Sequence, residues 1–191
     1  HHAVLRACED IEKLGYPVYY SDSRVKELYD TDPLLLQDMV DLLGKEILKE
    51  GKLNRGVVAS KIFADKGLLE SVEKIVHPAL LRDFEKWKQY QQENLSEDYK
   101  FVLFESAIIL EKPIFKSLPD KILNVVAPLQ LRIERVMKRD GVSREQVLER
   151  LSKQWSDEQR AIYADFTIFA NSQRAVLPQI IEVIEKMNLL S

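Results

Sequence analysis

Residues 15–27, GYPVYYSDSRVKE, lead from a short β-type segment into a helix-like one. The apolar run Pro17–Tyr20 meets a polar break at Ser21-Asp22-Ser23, and helix-forming residues follow. Ligands bind at the carboxyl ends of strands in open α/β sheets. Asp22 is therefore a candidate to accept a proton from a ligand at such an end. Because Asp is also a favoured N-cap residue, capping of the next helix is the alternative.

Three further β-type runs occur in the second half of the chain, at residues 99–104, 121–126 and 166–170. Helical patterns separate these runs, and two of the helices begin with capping-box sequences at Ser143 and Ser156. A last helix is predicted from about residue 173. Strands separated by helices predict an α/β fold, with a parallel sheet flanked by helices and right-handed crossovers.

Residues 24–92 carry almost only helical patterns, which predict an inserted helical subdomain. Breaks between its helices are predicted at Asp32-Pro33, Gly44, Gly51 and Gly67. A kink between helices is also predicted at His77-Pro78, because proline restricts the preceding residue to extended geometry. We assign residues 3–22 and 99–191 to the core and residues 23–98 to the helical subdomain.

The helix predicted from Ala127-Pro128 to Arg139 carries three arginines on one face. Arg132, Arg135 and Arg139 are spaced by three and four residues, so their side chains share that face. Guanidinium groups in such an arrangement repel each other unless an anion or carboxylates neutralise them, and their geometry suits phosphate. The pattern indicates a helical hairpin that closes over a polyphosphate, with a solvated helix face as the alternative.

Glu105 and Asn171 each follow a β-type run. Glu105 either orders a magnesium-bound water or is a plain polar residue at a strand end. Asn171, with Ser172, either contacts a base edge or caps the last helix. A histidine metal site is not favoured, because His77 is the only histidine apart from His1 and His2.

The 191-residue chain has a net charge of −3, 46% hydrophobic residues and one cysteine. This composition is typical of a globular protein and lacks the basic excess of nucleic-acid-binding proteins. A single cysteine fits a reducing compartment. No apolar run approaches the ~20 residues of a membrane span, and no signal peptide is recognisable. We therefore predict a cytoplasmic protein that binds neither nucleic acid nor membranes.

Five sequence blocks carry a family resemblance: GYPVYYSD at 15–22, LNRGVVASKIF at 53–63, IVHP at 75–78, FESAIILE at 104–111 and IERVMKRDG at 133–141. Arg150, Gln154, Ala164-Asp165 and Asn171 follow. Their order along the chain resembles that of the dephospho-coenzyme A kinase family. The chain departs from the family pattern at Tyr20, where an Asp is usual, and at Ala107, where a Pro is usual.

The resemblance implies a P-loop kinase fold with a core, a helical substrate-binding subdomain and a helical lid at about residues 139–164. It implies transfer of the ATP γ-phosphate to the ribose 3′-hydroxyl of dephospho-CoA, with Mg²⁺ as cofactor. The family's phosphate loop, G-x-x-x-x-G-K-S/T, precedes the first helix and occurs nowhere in this chain. His1-His2 is typical of a purification tag, so we expect further residues of the natural protein between His2 and Ala3.

The resemblance also implies residue roles. Asp22 is the base that positions the 3′-hydroxyl, and Arg139 acts in catalysis and, with Arg135, holds the phosphoryl groups of ATP. Asn171 contacts the adenine, and Glu105 contacts the magnesium ion through water. The residues implied to bind the acceptor are Arg55, Lys61, His77 and Gln154.

Two alternatives remain at the level of the sequence. One is another P-loop kinase acting on a nucleotide or other small molecule, and the other is a nucleotide-binding domain without catalytic activity. We expect a monomer or a small homo-oligomer in each case.

Overall fold

The protein folds into two compact units, one formed by His1–Val18 and Glu97–Ser191 and the other by Tyr19–Ser96. The computed structural model describes residues 2–107, 109–171 and 174–190. The elements are, in chain order, α1 (His2–Lys13), β1 (Val18–Tyr20), α2 (Ser21–Thr31), α3 (Pro33–Leu43), β2 (Leu48–Lys49), β3 (Lys52–Leu53), α4 (Arg55–Ala64), α5 (Lys66–Asn94), β4 (Leu103–Glu105), α6 (Pro113–Lys116), β5 (Leu123–Val126), α7 (Leu129–Asp140), α8 (Arg144–Ser152), α9 (Asp157–Tyr163), β6 (Phe166–Phe169) and α10 (Val176–Leu189). The assignment of residues 3–22 and 99–191 to a catalytic core and of 23–98 to an acceptor-binding subdomain stays a prediction.

The first unit confirms the predicted parallel strands. β5 and β6 pair in parallel, from Leu123 opposite Phe166 to Val126 opposite Phe169. β1 and β4 are neighbours in a second two-stranded sheet. The strands therefore occur as separate pairs, and helices α1 and α10 pack against them.

An apolar core lies within the first unit. Its buried members are Ala7 and Ile11 of α1, Tyr16, Ile168 of β6 and Ile180 of α10. Residues from the start, middle and end of the unit thus share one core, because burial of apolar surface is what stabilises these elements against each other.

Gly15 lies just after α1, and its surroundings require glycine. Its φ of +103° is a conformation that L side chains rarely adopt, and a Cβ atom would overlap with the Tyr99 ring. Just beyond it, the Leu103 N–H donates to the Pro17 carbonyl at 3.0 Å. The start of the 15–27 stretch is therefore tightly held by β4 and the residues before it.

Helices α2, α3, α4 and α5 of the second unit pack on one another. Met39 and Leu35 of α3 and Ile47, in a short 3₁₀-helix, are among its most deeply buried side chains. The predicted break at Asp32-Pro33 is confirmed, because the Asp32 side chain accepts the Leu34 and Leu35 N–H groups and caps α3. The predicted break at Gly44 is confirmed as well.

The predicted break at Gly51 is confirmed, but the sequence did not predict the β-hairpin that forms it. Residues 48–53 form an antiparallel β-hairpin in which Leu48 lies opposite Leu53 and Lys49 opposite Lys52. Glu50 and Gly51 both have positive φ, at 55° and 79°. Two such residues between strands are typical of a tight hairpin turn. The region is thus not wholly helical.

The predicted boundary between two helices at His77-Pro78 is wrong, and the break predicted at Gly67 lies two residues earlier, at Asp65. α5 is a single helix of 29 residues that contains Pro78, and Gly67 lies in its first turn after the N-cap Asp65. Proline removes one hydrogen bond and costs about 3 kcal/mol in a helix. Burial of Val76, Ala79 and Leu80 on either side of Pro78 offsets that cost. Neither α5 nor any other helix in the described residues combines the length and apolarity that a membrane crossing requires.

Both predicted capping boxes are confirmed. Ser143 and Gln146 cap α8 reciprocally, and Ser156 and Gln159 cap α9 in the same way. Between α7 and α8, Gly141 adopts the left-handed conformation that often ends a helix. Residue 173, where the last helix is predicted to begin, lies outside the described residues.

Cys8 provides a test of the packing of α1. Its side chain is 6% exposed. Burial is the main cause that raises the pKa of its thiol to about 12, and the negative charge of Glu105 adds to the increase. Because the thiolate is the reactive form, we expect Cys8 of the folded protein to react very slowly with a disulfide reagent at pH 8. Rapid reaction of this one cysteine in guanidinium chloride is the control, and rapid labelling without denaturant would contradict the burial.

Candidate active site

Asp22 lies in the first turn of α2, at its second residue. Tyr20 occupies the N-cap position, so the alternative that Asp22 caps this helix is wrong. The Asp22 side chain is exposed, and it has no hydrogen bond or ion pair with the residues that the structure describes. A negative charge is favourable in a first turn, because the helix N-terminus carries a partial positive charge. The carboxylate is therefore ionisable, accessible and available to a ligand.

Tyr19 precedes Asp22 by three residues and is almost fully buried, with 1% of its surface exposed. Its hydroxyl donates to Asp83 Oδ2 at 2.6 Å. Its ring packs edge-on against Phe84 and Trp87, with centroid distances of 5.0 and 5.3 Å. These contacts tie the end of β1 to α5.

Arg24 follows Asp22 by two residues and binds the same carboxylate. Its Nε donates to Asp83 Oδ2 and its Nη2 to Asp83 Oδ1, each at 2.9 Å. The guanidinium carbon also lies 5.6 Å from the centre of the Tyr19 ring, within the range of a cation–π contact. Asp83 therefore receives donors from both sides of Asp22 in the sequence.

These contacts change the ionisation of all three groups. Burial alone would raise the pKa of Asp83, but the hydrogen bonds from Arg24 and Tyr19 outweigh it and hold that pKa below its usual value. Burial, reinforced by the hydrogen bond to Asp83, raises the pKa of Tyr19 well above its usual value. The hydrogen bond to Asp83 raises the pKa of Arg24. A neutral tyrosine, an arginine cation and an aspartate anion thus form one hydrogen-bonded cluster.

The three arginines predicted to share a face of α7 have different surroundings. Arg132 pairs with Asp157 at 3.2 Å. Arg139 donates from Nε and Nη2 to the two oxygens of Asp140, at 2.7 and 3.1 Å. Arg135 is exposed, and the described residues provide no partner for its guanidinium. Carboxylates thus neutralise two of the arginines and leave Arg135 available to an anion.

Asp140 connects α7 to α8, because it also accepts from Arg150 Nη1 at 2.9 Å. Hydrogen bonds from Arg139 and then Arg150 lower the pKa of Asp140, and the bond to Asp140 raises the pKa of Arg139. The Arg139 and Arg150 side chains remain 66% and 54% exposed. Exposed ion pairs contribute little stability, so an incoming phosphate can replace Asp140 at low cost.

Glu111 holds the segment predicted to be the lid. Its Oε1 accepts from the Trp155 N–H and from Arg160 Nη2, each at 3.1 Å. The Glu111 side chain is only 13% exposed. Gln154, next to Trp155, lies exposed in the turn between α8 and α9. The position of Gln154 is thus set by a neighbour with a well-shielded contact.

Asn171 lies two residues after the end of β6. Its Oδ1 accepts the Arg174 N–H at 2.9 Å. The N-cap of α10 is Ala175, so the alternative that Asn171 caps the last helix is wrong. Ser172, the other residue of that prediction, lies outside the described residues.

Glu105 ends β4 as a buried carboxylate with 4% exposure. Its charge lies close enough to Cys8 to contribute, after burial, to the raised pKa of that thiol. Mg²⁺ in kinase sites is held by one or two carboxylates together with phosphates and water. The described residues contain no cluster of three or more potential metal ligands. A single acidic oxygen donor at Glu105 therefore fits a magnesium ion that is bound mainly by substrate phosphates.

Three of the residues implied to bind the acceptor lie in the second unit, whereas Gln154 lies in the first. Arg55 is the exposed first residue of α4. Lys61, on the same helix, forms an ion pair with Glu46, and this hydrogen bond lowers the pKa of Glu46. His77 is half-buried in the middle of α5. The structure thus places two cations of this group on one helix.

Sequence reasoning missed two residues that hold candidate site residues in place. Asp83 is 59 residues from Arg24, and in the sequence it is one of many charges on a long helix. Gln179 of α10 binds both the N–H and the carbonyl of Phe169, at 2.9 and 3.0 Å, and so holds the end of β6, two residues before Asn171. No local pattern distinguishes either residue from an ordinary surface position.

The sequence of the chain is similar to those of characterised kinases. The profile of the dephospho-CoA kinase family matches residues 6–176. A dephospho-CoA kinase of Bacteroides fragilis is 36% identical over 174 residues, which are 91% of this chain and 82% of that protein. One of Porphyromonas gingivalis is 36% identical over 173 residues, covering 90% and 82% of the two chains.

Two solved structures are similar in fold. A crystal structure of a Thermus thermophilus protein has a TM-score of 0.73 at 25% identity, covering 95% of this chain and 88% of that one. A dephospho-CoA kinase from Campylobacter jejuni has a TM-score of 0.70 at 22% identity, covering 97% and 91%. These similarities confirm the predicted α/β fold of the P-loop kinase type.

The Asp83 cluster predicts a pH-dependent contribution to stability. Because the folded pKa of Asp83 is lowered, its contribution is fully present above the unfolded value of about 4 and is lost as the pH falls through the folded pKa. We expect Asp83→Asn to reduce the free energy of unfolding by about 1–3 kcal/mol at pH 7. Urea unfolding at pH 7 and at pH 3 should show the difference from the wild type shrinking. A difference that is equal at both pH values would contradict the charged pairing.

Proposed function

The chain belongs to the dephospho-CoA kinase family, which phosphorylates dephospho-CoA to CoA with ATP, and we propose which of its residues carry out that reaction. The observation that carries the function is the family match over residues 6–176, which includes every residue to which a role in substrate binding or catalysis is assigned below. The substrates are ATP and dephospho-CoA.

We propose that Asp22 is the base of the reaction. The 3′-hydroxyl oxygen of dephospho-CoA forms a bond to the γ-phosphorus, the bond from that phosphorus to the bridging oxygen breaks, and ADP leaves. The hydroxyl proton passes to Asp22 late in this transfer. The exposed Asp22 carboxylate supports this role, because it makes no ion pair with the described residues that would have to break first.

Arg135 and Arg139 bind the phosphoryl groups of ATP in this proposal, and Arg139 also neutralises charge that develops during the transfer. Arginine's planar group suits phosphate oxygens, and phosphoryl transfer depends mainly on positioning and charge neutralisation. Arg135 is exposed without a partner among the described residues, and Arg139 has only the exposed Asp140 to exchange. Asn171 contacts the adenine from a position two residues after the end of β6, which Gln179 holds.

The remaining roles concern the metal and the acceptor. Glu105 holds Mg²⁺ through a water molecule, and the ion supplies neutralisation of the phosphate charges when it is bound. Arg55, Lys61, His77 and Gln154 bind the acceptor, whose phosphate groups suit the cationic side chains. A cytoplasmic location fits the free thiol of Cys8 and the use of ATP. The monomeric or small homo-oligomeric state stays a prediction.

Asp22→Asn tests the base. We expect kcat to fall by about 10²-fold or more, while KM for dephospho-CoA changes by less than about threefold, because the proton transfer stabilises only the transition state. The measurement is ATP-dependent formation of CoA, with nucleoside monophosphates as alternative acceptors that should not be phosphorylated. An unchanged kcat would leave Asp22 only a favourable charge at the start of α2.

Arg139→Ala tests the phosphate-binding role of α7. We expect kcat to fall by about 10²-fold or more, because the variant loses a cation that neutralises the transferring group. Lys186→Ala is the control, since Lys186 forms only a surface pair with Glu182 at 3.1 Å on α10. Equal activity of the two variants in the CoA-formation assay would exclude the role.

A further inference from the structure

We propose that Asp83 is a positioning residue for catalysis, which fixes the carboxylate of Asp22 by binding Tyr19 and Arg24 on either side of it. This inference rests on the proposed role of Asp22 as the base. It adds a residue of α5 that is distant in sequence from the reacting group and that no local motif identifies.

Helix α2 lacks a side-chain cap at its start. The N-cap residue Tyr20 makes no side-chain capping bond. The Asp22 side chain makes no hydrogen bond with the described residues. Contacts of the neighbouring residues can therefore set the position of this turn.

The residues on either side of Asp22 that are held by contacts elsewhere both bind one carboxylate. Tyr19 and Arg24 lie three residues before and two residues after Asp22, and both bind Asp83. Asp83 accepts three hydrogen bonds of 2.6–2.9 Å, two on Oδ2 and one on Oδ1. Its side chain is 16% exposed, so these contacts are shielded from water far more than an ordinary surface pair.

Packing and hydrogen bonds restrict the side chains of Tyr19 and Arg24. The Tyr19 ring is fixed between α5 aromatic residues and the Arg24 guanidinium, and its hydroxyl donates to Asp83 at 2.6 Å and lies 3.5 Å from the Leu80 carbonyl oxygen. A bidentate arginine–carboxylate contact also fixes orientation as well as distance. A misplacement of about 1 Å in a catalytic group can cost about 10²-fold in rate. Loss of Asp83 should therefore displace the Asp22 carboxylate and lower kcat, although Asp83 itself contacts no substrate in this proposal.

The experiment is a double-mutant cycle on the purified enzyme, with kcat and KM for dephospho-CoA measured well below each variant's melting temperature. We expect Asp83→Asn to lower kcat by about 10-fold or more and to change KM by less than about threefold. In an Asp22→Asn background, the same substitution should change kcat by less than about twofold, because the group that it positions is already absent.

A second variant covers the case in which Asp83→Asn does not fold. Tyr19→Phe removes one hydroxyl and keeps the packed ring, so we expect a smaller loss of kcat, of about 2- to 10-fold. That loss should also disappear in the Asp22→Asn background.

Two control variants are matched to the cluster. Glu27→Gln removes the other partner of Arg24, an exposed contact of 3.3 Å, and leaves Asp83 intact. Glu85→Gln removes a charge from the same helix as Asp83, where Glu85 pairs with Lys88 on the surface. We expect both variants to retain wild-type kcat.

The outcomes separate this inference from the proposed function. If Asp22→Asn lowers kcat but Asp83→Asn and Tyr19→Phe do not, the positioning role is overturned and the function stands. Equal losses from the cluster variants with and without Asp22 would overturn it too, because Asp83 would then act on another group. If Asp22→Asn leaves kcat unchanged, the proposed base is wrong and the positioning inference falls with it.

Discussion

Three hydrogen bonds to the Asp83 carboxylate determine how the chain passes from β1 into α2. Tyr19 and Arg24 supply the donors, and together they bracket the candidate base Asp22. A partly buried charge is costly unless its partners satisfy it with good geometry. Here a bidentate guanidinium and a buried phenol meet that requirement, so a polar cluster can stand beside the aromatic packing of Phe84.

The charged residues of the protein divide according to how strongly they are held. Asp83 in the second unit and Glu111 in the first have shielded contacts. Each of these contacts joins distant parts of its own unit. Asp22 and Arg135 are exposed without ion pairs among the described residues, and Arg139 has an exposed one. A group that must exchange its partner during a reaction is better left in water, because breaking a shielded charge pair would add to the barrier. The strongly held charges therefore support the site, and the weakly held ones are suited to substrates.

Prediction of the fold succeeded where local interactions decide the structure. The capping boxes at Ser143 and Ser156 were predictable, because each satisfies its own helix end within four residues. Prediction was incomplete at Gly51, where the helical pattern did not reveal a hairpin turn, and it failed at Pro78, where the burial that sustains a helix through proline was not recognisable. The alternative of a helix cap at Asp22 failed as well, because the helix begins two residues earlier than an Asp22 cap requires.

The sequence by itself determined the α/β class, the alternation of strands and helices, and the family, because these follow from short-range patterns and ordered motifs. It also identified Asp22 and the arginines of α7 as candidates from their positions and spacing. Tertiary packing was needed to show that Arg139 pairs with Asp140, that Gln179 binds Phe169 at the end of β6, and that Asp83 binds the residues around Asp22. The physical reason is that such contacts join side chains whose approach depends on the packing of whole elements. The residue types alone do not show which of these side chains contact each other.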